Sequence, residues 1–297
     1  MRELIVGTRG SQLAMTQTHH VIAVIENRTD YRCRVEIIHT TGDIEKEIPL
    51  ASSGEIGLFT RAIERGLLEG VIDIAVHSLK DLPLTMPDGL AMAAIPSRGE
   101  IGDVLIIAPK SHHSEYHKIP IQQGATVGTG SPRRRTQLQS VRDDLIVQPI
   151  RGNVTTRINL LKSGKLDALV MAAAGLKRLN LDLGDLIVHP LDPSVFVPAP
   201  GQGALAIQMR SEDRRKEEIY SALNDPVTEA CVVAERWLLK LFGGGCSLPM
   251  GALVTREGND FRLCGFWYED NTPHHAHLTD NDLERGIDQL FRVLRGN

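Results

Sequence analysis

The chain of 297 residues is poor in aromatic residues, lysine and cysteine, and it contains no long hydrophobic run. Aromatic residues make up 4% of the sequence, which leaves few side chains on which single-stranded nucleic acid could stack. A formal net charge of −4 also argues against nucleic-acid binding, because that binding requires a basic surface. The longest uncharged apolar stretch, near 168–176, is far shorter than a membrane span. We therefore expect neither a nucleic-acid partner nor membrane insertion.

The four cysteines are widely separated and form no CxxC pair, which excludes a zinc knuckle and a thioredoxin motif: Cys33, Cys231, Cys246 and Cys264. The apolar run at 4–6 is too short for the core of a signal peptide, so we expect a cytoplasmic protein with reduced thiols. Histidines cluster at 112–117 and 274–277, but both segments are polar and lack a clear fourth ligand. Solvated loops are favoured there, and no metal is expected.

The cations are unevenly divided, with 24 arginines and only 9 lysines. Arginine is preferred where a planar guanidinium must hold a carboxylate or phosphate through two hydrogen bonds. Genome composition explains such an excess equally well. The positions of the arginines must therefore decide between the two readings.

Short apolar runs alternate with amphipathic runs through the first two thirds of the chain. The predicted strands are 4–6, 35–38, 72–76, 104–108, 125–128, 145–147 and 168–171, and the predicted helices are 12–27, 58–68, one that starts at 131–132, and 154–162. This alternation is typical of mostly parallel, doubly wound sheets. Such sheets bind ligands beyond the carboxyl ends of their strands.

Prolines and glycines divide this pattern into lobes. A hinge is expected at 96–99, a proline-rich stretch covers 190–200, and the apolar segment 204–209 could cross back into the first sheet. After 224 we predict a helix at 226–241, strands at 251–255 and 261–266, and a helix at about 280–295. The predicted fold class is therefore α/β, with two doubly wound lobes (1–98 with 200–220, and 99–199) joined by two crossovers around a cleft. A small C-terminal α+β domain (221–297) completes it.

Polar residues that could perform chemistry follow the third predicted strand. His77, Ser78, Lys80 and Asp81 bring together an imidazole, a hydroxyl, an ammonium and a carboxylate. The position at a strand end favours a functional loop over a solvated ion pair. The residues are too close in sequence to form a Ser-His-Asp triad by themselves.

Two further loops combine a helix start with arginines. In 128–135, small residues lead into a helix that begins with Arg133 and Arg134, so free backbone N–H groups can face an anion. The segment 151–157 repeats the arrangement between Arg151 and Arg157, and Arg9 holds the equivalent place after the first strand. Capped surface helices with solvated arginines are the alternative. We expect a ligand with several carboxylates or phosphates.

Cys246 lies after three glycines and before Ser247, so its thiol is expected on an accessible loop. An accessible thiol can form a covalent bond when its thiolate is favoured. Taken alone, this position slightly favours an incidental loop cysteine over a reactive one.

The ordered set of these motifs resembles the porphobilinogen deaminase (hydroxymethylbilane synthase) family. The matching segments are 8–11, 57–59, 73–81, 128–134, 145–157, 174–179, 200–204 and 244–249. Each motif alone is weak, whereas their order and spacing are highly specific. The resemblance covers residues 1 to about 255.

The resemblance implies two lobes like those of periplasmic binding proteins and a third domain that carries the cysteine loop. It implies that Cys246 holds a dipyrromethane cofactor through a thioether and that Asp81 is the catalytic carboxylate. The residues implied to bind the acetate and propionate groups of cofactor and substrate are Arg9, Ser11, Lys80, Thr129, Ser131, Arg133, Arg134, Arg151, Arg157 and Arg178. Ser78 and Phe59 would lie at the cleft, and Gln202 near the return crossover.

The implied activity is the polymerisation of four porphobilinogen molecules into hydroxymethylbilane, with release of ammonia and delivery of the product to the next tetrapyrrole enzyme. A monomer with lobe motion near 97–100 and 193–200 is expected. Ile56 stands where the family usually has lysine, and Gly130 and Pro132 replace the more usual serine and leucine. A non-catalytic two-lobed anion-binding protein is the alternative, but it does not account for the cysteine loop.

Overall fold

The computed structural model of the protein describes residues 2–38, 60–245 and 248–296. The chain forms two compact units, the first from Met1–Arg98 with Ala204–Ala230 and the second from Gly99–Gly203 with Cys231–Asn297. The second unit thus combines the predicted second lobe with most of the predicted C-terminal domain. The division into three domains stays a prediction.

The elements are numbered along the chain. The strands are β1 (Arg2–Thr8), β2 (Tyr31–Ile37), β3 (Ile74–Ser78), β4 (Leu90–Ala94), β5 (Asp103–Ile107), β6 (Thr126–Gly128), β7 (Ile146–Gln148), β8 (Ala168–Ala172), β9 (Ile187–Pro190), β10 (Leu205–Arg210), β11 (Met250–Glu257), β12 (Asp260–Glu269) and β13 (Thr272–Asp280). The helices are α1 (Gln12–Arg28), α2 (Arg61–Leu68), α3 (Pro132–Val141), α4 (Val154–Lys162), α5 (Ala173–Leu179), α6 (Lys216–Leu223), α7 (Pro226–Leu241) and α8 (Leu283–Arg295).

The first unit is built on a five-stranded sheet in the order β2-β1-β3-β10-β4. Strands β2, β1 and β3 are parallel, whereas β10 is antiparallel to both of its neighbours. One face packs on α1 through Val21 and Ile25, and the other packs on α2 through Ile63 and Leu67. Burial on both faces explains why β3 is a continuous apolar run before His77.

The second unit contains a sheet of the same design in the order β7-β6-β8-β5-β9. Strands β7, β6 and β8 are parallel, and β5 is antiparallel to β8 and β9. Apolar residues cover both faces, with Leu138 of α3 in one cluster and Ile158 of α4 in the other. Both sheets therefore place the carboxyl ends of their parallel strands at one edge.

The second unit also contains the antiparallel sheet β11-β12-β13. Helix α8 and the second part of α7 cover it, with Leu290 and Leu238 fully buried. The buried Glu235 on α7 accepts hydrogen bonds from the backbone N–H groups of Gly201 (2.7 Å) and Val254 (2.9 Å). This carboxylate ties the segment before β10 to the small sheet.

The α/β fold class with two doubly wound lobes and a small α+β part is confirmed, because the chain forms two five-stranded α/β sheets and one three-stranded antiparallel sheet. The return of 204–209 to the first sheet is also confirmed, since β10 pairs with β3 and β4. The expectation of mostly parallel sheets is also confirmed, because four of the five strands in each sheet run in the same direction and only β10 and β5 run opposite. Strands β10 and β5 each follow a segment that links the two units, so they run opposite to strands that follow a crossover helix.

Candidate functional site

The first candidate site lies at the carboxyl ends of β1 and β3. Strand β1 ends at Thr8 and is followed by Arg9, while β3 ends at Ser78 and leads into a single 3-10 turn at Leu79–Asp81. The N–H group of Leu79 donates to the carbonyl of Ala204 over 3.0 Å, which fixes the start of this turn. Because β1 and β3 are parallel neighbours, Arg9 and the turn emerge at the same edge of the sheet.

A cavity of about 100 Å³ opens at this edge. The described residues that line it are Arg9, Ser11, Leu13, Ala14, Gln17, Thr60, Ile63, Val76, His77, Ser78 and Asp81. Asp81 is exposed, and Lys80 beside it is half-buried and not among the lining residues of the described chain. The cavity thus brings together one guanidinium, one carboxylate, several hydroxyl groups and an apolar wall. This set suits a small ligand that carries both charge and an apolar ring.

Helix α1 contributes to the cavity through its start and its buried face. Ser11 is the N-cap, and its hydroxyl accepts a hydrogen bond from the N–H group of Ala14 at 3.3 Å. One and a half turns later, the buried Gln17 exchanges hydrogen bonds with the Ser78 hydroxyl at 3.1 and 3.3 Å. Sequence reasoning missed Gln17, although a glutamine on the buried face of an amphipathic helix is a usable signal.

The second candidate site is the start of α3 in the second unit. The Ser131 hydroxyl caps the helix by accepting from the N–H group of Arg134 at 3.5 Å, and Pro132 takes the first helical position. The buried Thr129 accepts a hydrogen bond from the N–H group of Ser131 at 3.2 Å. The predicted helix start is confirmed, whereas ligand binding by Thr129 and Ser131 stays a prediction.

Arg133 and Arg134 are directed toward the fully buried carboxylate of Asp103. Arg133 Nη2 lies 2.8 Å from Asp103 Oδ2, and Arg134 Nη2 lies 2.7 Å from Asp103 Oδ1. Arg133 Nη1 also donates to the carbonyl of Val197 over 2.8 Å. Burial lowers the pKa of Arg133, against the attraction of Asp103. The sequence predicted that both guanidiniums bind a ligand, and it gave no sign of Asp103. In the structure the two guanidiniums share this buried counter-ion. Their contact with a ligand stays a prediction.

Gln202 and Arg178 hold the segment that leads to β10. Gln202 is fully buried, and its Nε2 donates to Asp103 Oδ1 over 3.0 Å and to the carbonyl of Ile101 over 2.9 Å. Arg178 Nη2 donates to the carbonyl of Gly203 over 2.7 Å. Gly203 has φ +87°, and a Cβ there would lie 2.6 Å from the carbonyl oxygen of Glu100, so only glycine fits. Burial lowers the pKa of Arg178.

Arg151 and Arg157 bracket the start of α4 after β7. Asn153 is the N-cap, and its side-chain oxygen accepts from the N–H group of Thr156 at 2.9 Å. Arg151 is exposed, while Arg157 is half-buried and its Nε donates to the carbonyl of Gly152 over 2.9 Å. The repeated design of a strand end, a capped helix and flanking arginines is therefore present.

Three predicted positions lie outside the described residues: Phe59, Ile56 and Cys246. The other three cysteines form no disulfide, and burial raises the pKa of Cys33 to about 11 and also raises that of Cys264. A raised pKa makes a thiol a poor nucleophile at neutral pH. Cys33 and Cys264 are therefore poor candidates for covalent attachment, and the thiol of Cys231 is buried.

Within 2–38, 60–245 and 248–296, no group of three or more His, Cys, Asp or Glu side chains could hold a metal ion. No helix in those ranges has both the length and the apolar composition that crossing a membrane requires.

The chain matches known proteins over most of its length. Residues 4–218 match the family model "Porphobilinogen deaminase, dipyromethane cofactor binding domain". Among relatives named porphobilinogen deaminase, that of Roseiflexus castenholzii is 41% identical over 88% of this chain and 84% of its own, and that of Bacillus mycoides is 42% identical over 88% and 82%. The chain also superposes on a periplasmic binding protein of Salmonella typhimurium with high arginine specificity, with a TM-score of 0.43, 14% identity, and coverage of 77% of this chain and 94% of that one. On the family match and the identities to its relatives, the chain belongs to the porphobilinogen deaminase family.

Proposed function

We propose that this protein joins four porphobilinogen molecules head to tail, with release of ammonia, into the linear tetrapyrrole hydroxymethylbilane. The observation that carries this proposal is the cavity of the first unit, in which Arg9, Ser11, Ser78 and Asp81 lie together in a chain of this family. Porphobilinogen is a pyrrole with two carboxylate arms and an aminomethyl group. It therefore needs a cation, a carboxylate and an apolar wall, and the cavity has all three.

Asp81 is proposed as the catalytic carboxylate. Loss of ammonia leaves an electron-poor ring, and positive charge develops on pyrrole nitrogens during the addition. A carboxylate at the cavity stabilises that charge and can accept or donate a proton. Arg9, at the end of the neighbouring strand β1, is proposed to bind a carboxylate arm of the substrate, and Lys80 is proposed to act beside it.

The second unit offers a donor set that fits an anionic cofactor. Two buried guanidiniums, those of Arg133 and Arg134, share the single carboxylate of Asp103, so the cluster carries an excess of positive charge. In addition, Arg133 Nε is buried with no hydrogen-bond partner in the described chain. A further carboxylate would satisfy both the charge and the donor.

We propose that Cys246 holds the dipyrromethane cofactor through a thioether. Bound there, the cofactor supplies a pyrrole carbon to which substrate is added and a tether for the growing chain. The residues proposed to bind its carboxylates and those of the added rings are Thr129, Ser131, Arg133, Arg134, Arg151, Arg157 and Arg178. Arginine suits this role because it stays protonated as negative charge accumulates. Phe59 is proposed to lie over the cleft, and Gln202 near the return crossover.

The proposal also covers the localisation, the oligomeric state and the domain division of the protein. The protein is proposed to act as a cytoplasmic monomer and to deliver hydroxymethylbilane to the enzyme that uses it next. The three domains are proposed as 1–98 with 200–220, 99–199, and 221–297.

Intact-mass measurement tests the covalent part of this proposal. Protein from a host that makes porphobilinogen is expected to be heavier than its sequence by two pyrrole units, and Cys246→Ser is expected to have the sequence mass. Cys33→Ser serves as the matched control and should keep the increment, because that thiol is half-buried with a raised pKa. An unmodified wild-type protein that does not consume porphobilinogen would favour a non-catalytic binding protein.

A further inference from the structure

A buried polar trio lies behind the cavity of the first unit and has no role in the function proposed above. It consists of His77 on β3, Gln208 on β10 and Glu64 on α2, which are 7%, 0% and 6% exposed. His77 Nε2 lies 3.0 Å from Gln208 Oε1, and Gln208 Nε2 lies 3.3 Å from Glu64 Oε1. The three side chains thus form one line of hydrogen bonds from the core to the cavity wall.

The direction of these hydrogen bonds follows from the carboxylate at their end. The amide NH₂ group of Gln208 points at Glu64 and donates to its carboxyl oxygen. The amide oxygen of Gln208 then points at His77 and can only accept. The hydrogen between them therefore belongs to His77 Nε2, and in a neutral ring Nδ1 is left as an acceptor.

The surroundings of the ring keep it uncharged. Burial lowers the pKa of His77 to about 4, although the hydrogen bond to Gln208 opposes this shift. The charged groups nearby are Glu64 on α2 and, at the cavity, Arg9 and Asp81, while α1 presents the uncharged Gln17. Within the described chain, Gln208 is the only hydrogen-bond partner of the ring.

We propose that His77 is a further binding residue of this cavity, held with Nε2 protonated by Gln208 and Glu64 so that Nδ1 accepts a hydrogen bond from an N–H donor of the substrate. This inference rests on the proposed function, since porphobilinogen carries such donors on its pyrrole ring and its aminomethyl group. A fixed neutral acceptor complements Asp81, because it selects for a donor without adding a second negative charge.

The ring tautomer is measurable by NMR without any assay of activity. Long-range ¹H–¹⁵N spectra of [¹⁵N]histidine-labelled protein, with His77 assigned by the signal lost in His77→Gln, are expected to show protonated Nε2 with no titration between pH 5 and 9. Glu64→Gln is expected to add an Nδ1–H population, because a glutamine can donate to Gln208 and reverse its amide. Glu229→Gln is the matched control, since Glu229 also accepts from an amide, that of Asn224. Three results would overturn the proposed hydrogen bonding of His77, Gln208 and Glu64. They are an Nδ1–H tautomer in the wild type, a ring that titrates near pH 6.5, and an unchanged tautomer in Glu64→Gln.

Kinetics separate binding by Nδ1 from a purely structural role. In His77→Asn the side-chain amide oxygen can occupy the position of Nδ1. In His77→Gln the side chain is one carbon longer, so its amide lies at the position of Nε2 instead. We expect the KM for porphobilinogen to rise about fivefold in His77→Gln and less than about twofold in His77→Asn, as for loss of one neutral hydrogen bond. Equal KM values in the two folded variants would refute binding by Nδ1. A wild type that does not consume porphobilinogen would instead refute the proposed function, while the NMR result would still decide the tautomer.

Discussion

Asp81 is the last residue of a single 3-10 turn, and the first N–H group of that turn donates to the carbonyl of Ala204. Asp81 is exposed at the cavity, so its carboxylate is available to a bound ligand. Arg9 borders the same cavity from the neighbouring strand end. One anionic and one cationic side chain can therefore act on opposite ends of one substrate.

Replacing Asp81 with asparagine tests its catalytic role. The amide keeps the shape but loses the negative charge, so kcat for porphobilinogen consumption is expected to fall by roughly 10²-fold or more. The measurement is steady-state turnover at saturating substrate. Asp88→Asn, which alters an exposed carboxylate seven residues later, should retain the wild-type rate. Near wild-type turnover by Asp81→Asn would contradict the assignment.

Residue types that act on ligands were easier to predict than the residues that position them. The strand-end loops identified Arg9, Ser78 and Asp81, and the cavity brings these three together. Asp103 and Gln17 were missed because each reads as an ordinary strand or helix residue. Their roles depend on partners between 30 and 99 residues away, and no local pattern encodes such pairs.

At the scale of elements, helix α3 is joined to strand β5 by a buried ion cluster. Asp103 is the first residue of β5, and it holds both Arg133 and Arg134 in the first turn of α3. Gln202 adds a third donor from the segment before β10. Removal of the one carboxylate would leave two guanidiniums buried without a counter-ion, which is costly in a low-dielectric environment.

Asp103→Asn is therefore expected to lower the free energy of unfolding by about 3–5 kcal/mol. Urea denaturation followed by circular dichroism gives this value. Glu100→Gln is the matched control in the same unit, because Glu100 pairs with Lys177 at the surface, where such pairs contribute at most about 1 kcal/mol. The buried cluster would lose its proposed importance if both variants unfolded at the same urea concentration.

The elements with strong periodicity were predicted well, and those that depend on their neighbours were not. Helices 12–27 and 226–241 agree with α1 and α7 to within a residue. Strands β4, β9 and β13 were missed: β4 is rich in alanine, β9 ends in Pro190, and β13 contains three histidines. All three are edge strands, where weak strand-forming residues are tolerated because only one side is paired.

At the scale of the whole molecule, many arginines are accounted for by internal ion pairs. In the first unit, Arg215 lies 2.6 Å from Asp213 and 2.7 Å from Asp73, and Arg210 lies 3.2 Å from Asp73. Asp73 also accepts the N–H group of Ile5 on β1 at 2.9 Å. The total of 24 arginines is thus a poor measure of ligand binding, whereas their placement at strand ends is informative.

This network makes the stability of the protein depend on pH. The hydrogen bond from Arg215 lowers the pKa of Asp213 to about 2. Burial alone would raise the pKa of Asp73, but the hydrogen bonds from Arg215 and from the N–H group of Ile5 outweigh burial, so the pKa of Asp73 is lowered as well. Lowered carboxyl pKa values stabilise the folded state above about pH 4, and this stabilisation is lost as the pH falls toward 2.

Arg215→Ala is expected to reduce Tm at pH 7 and to flatten its fall between pH 4 and 2, as measured by thermal unfolding across that range. Arg34→Ala, which removes an exposed pair with Glu36, should leave the curve close to that of the wild type. A wild-type slope in Arg215→Ala would show that this network does not govern acid stability.

Strand β10 has a consequence for synthesis on the ribosome. It lies between β3 and β4 in the first sheet, yet residues 99–203 must be translated before it exists. Until then the backbone of β3 presents an open edge, and unpaired edges of this kind favour aggregation. The first sheet therefore stays incomplete during translation until all strands of the second five-stranded sheet have been made. A nascent chain that stops before residue 205 lacks the strand that closes its own first unit.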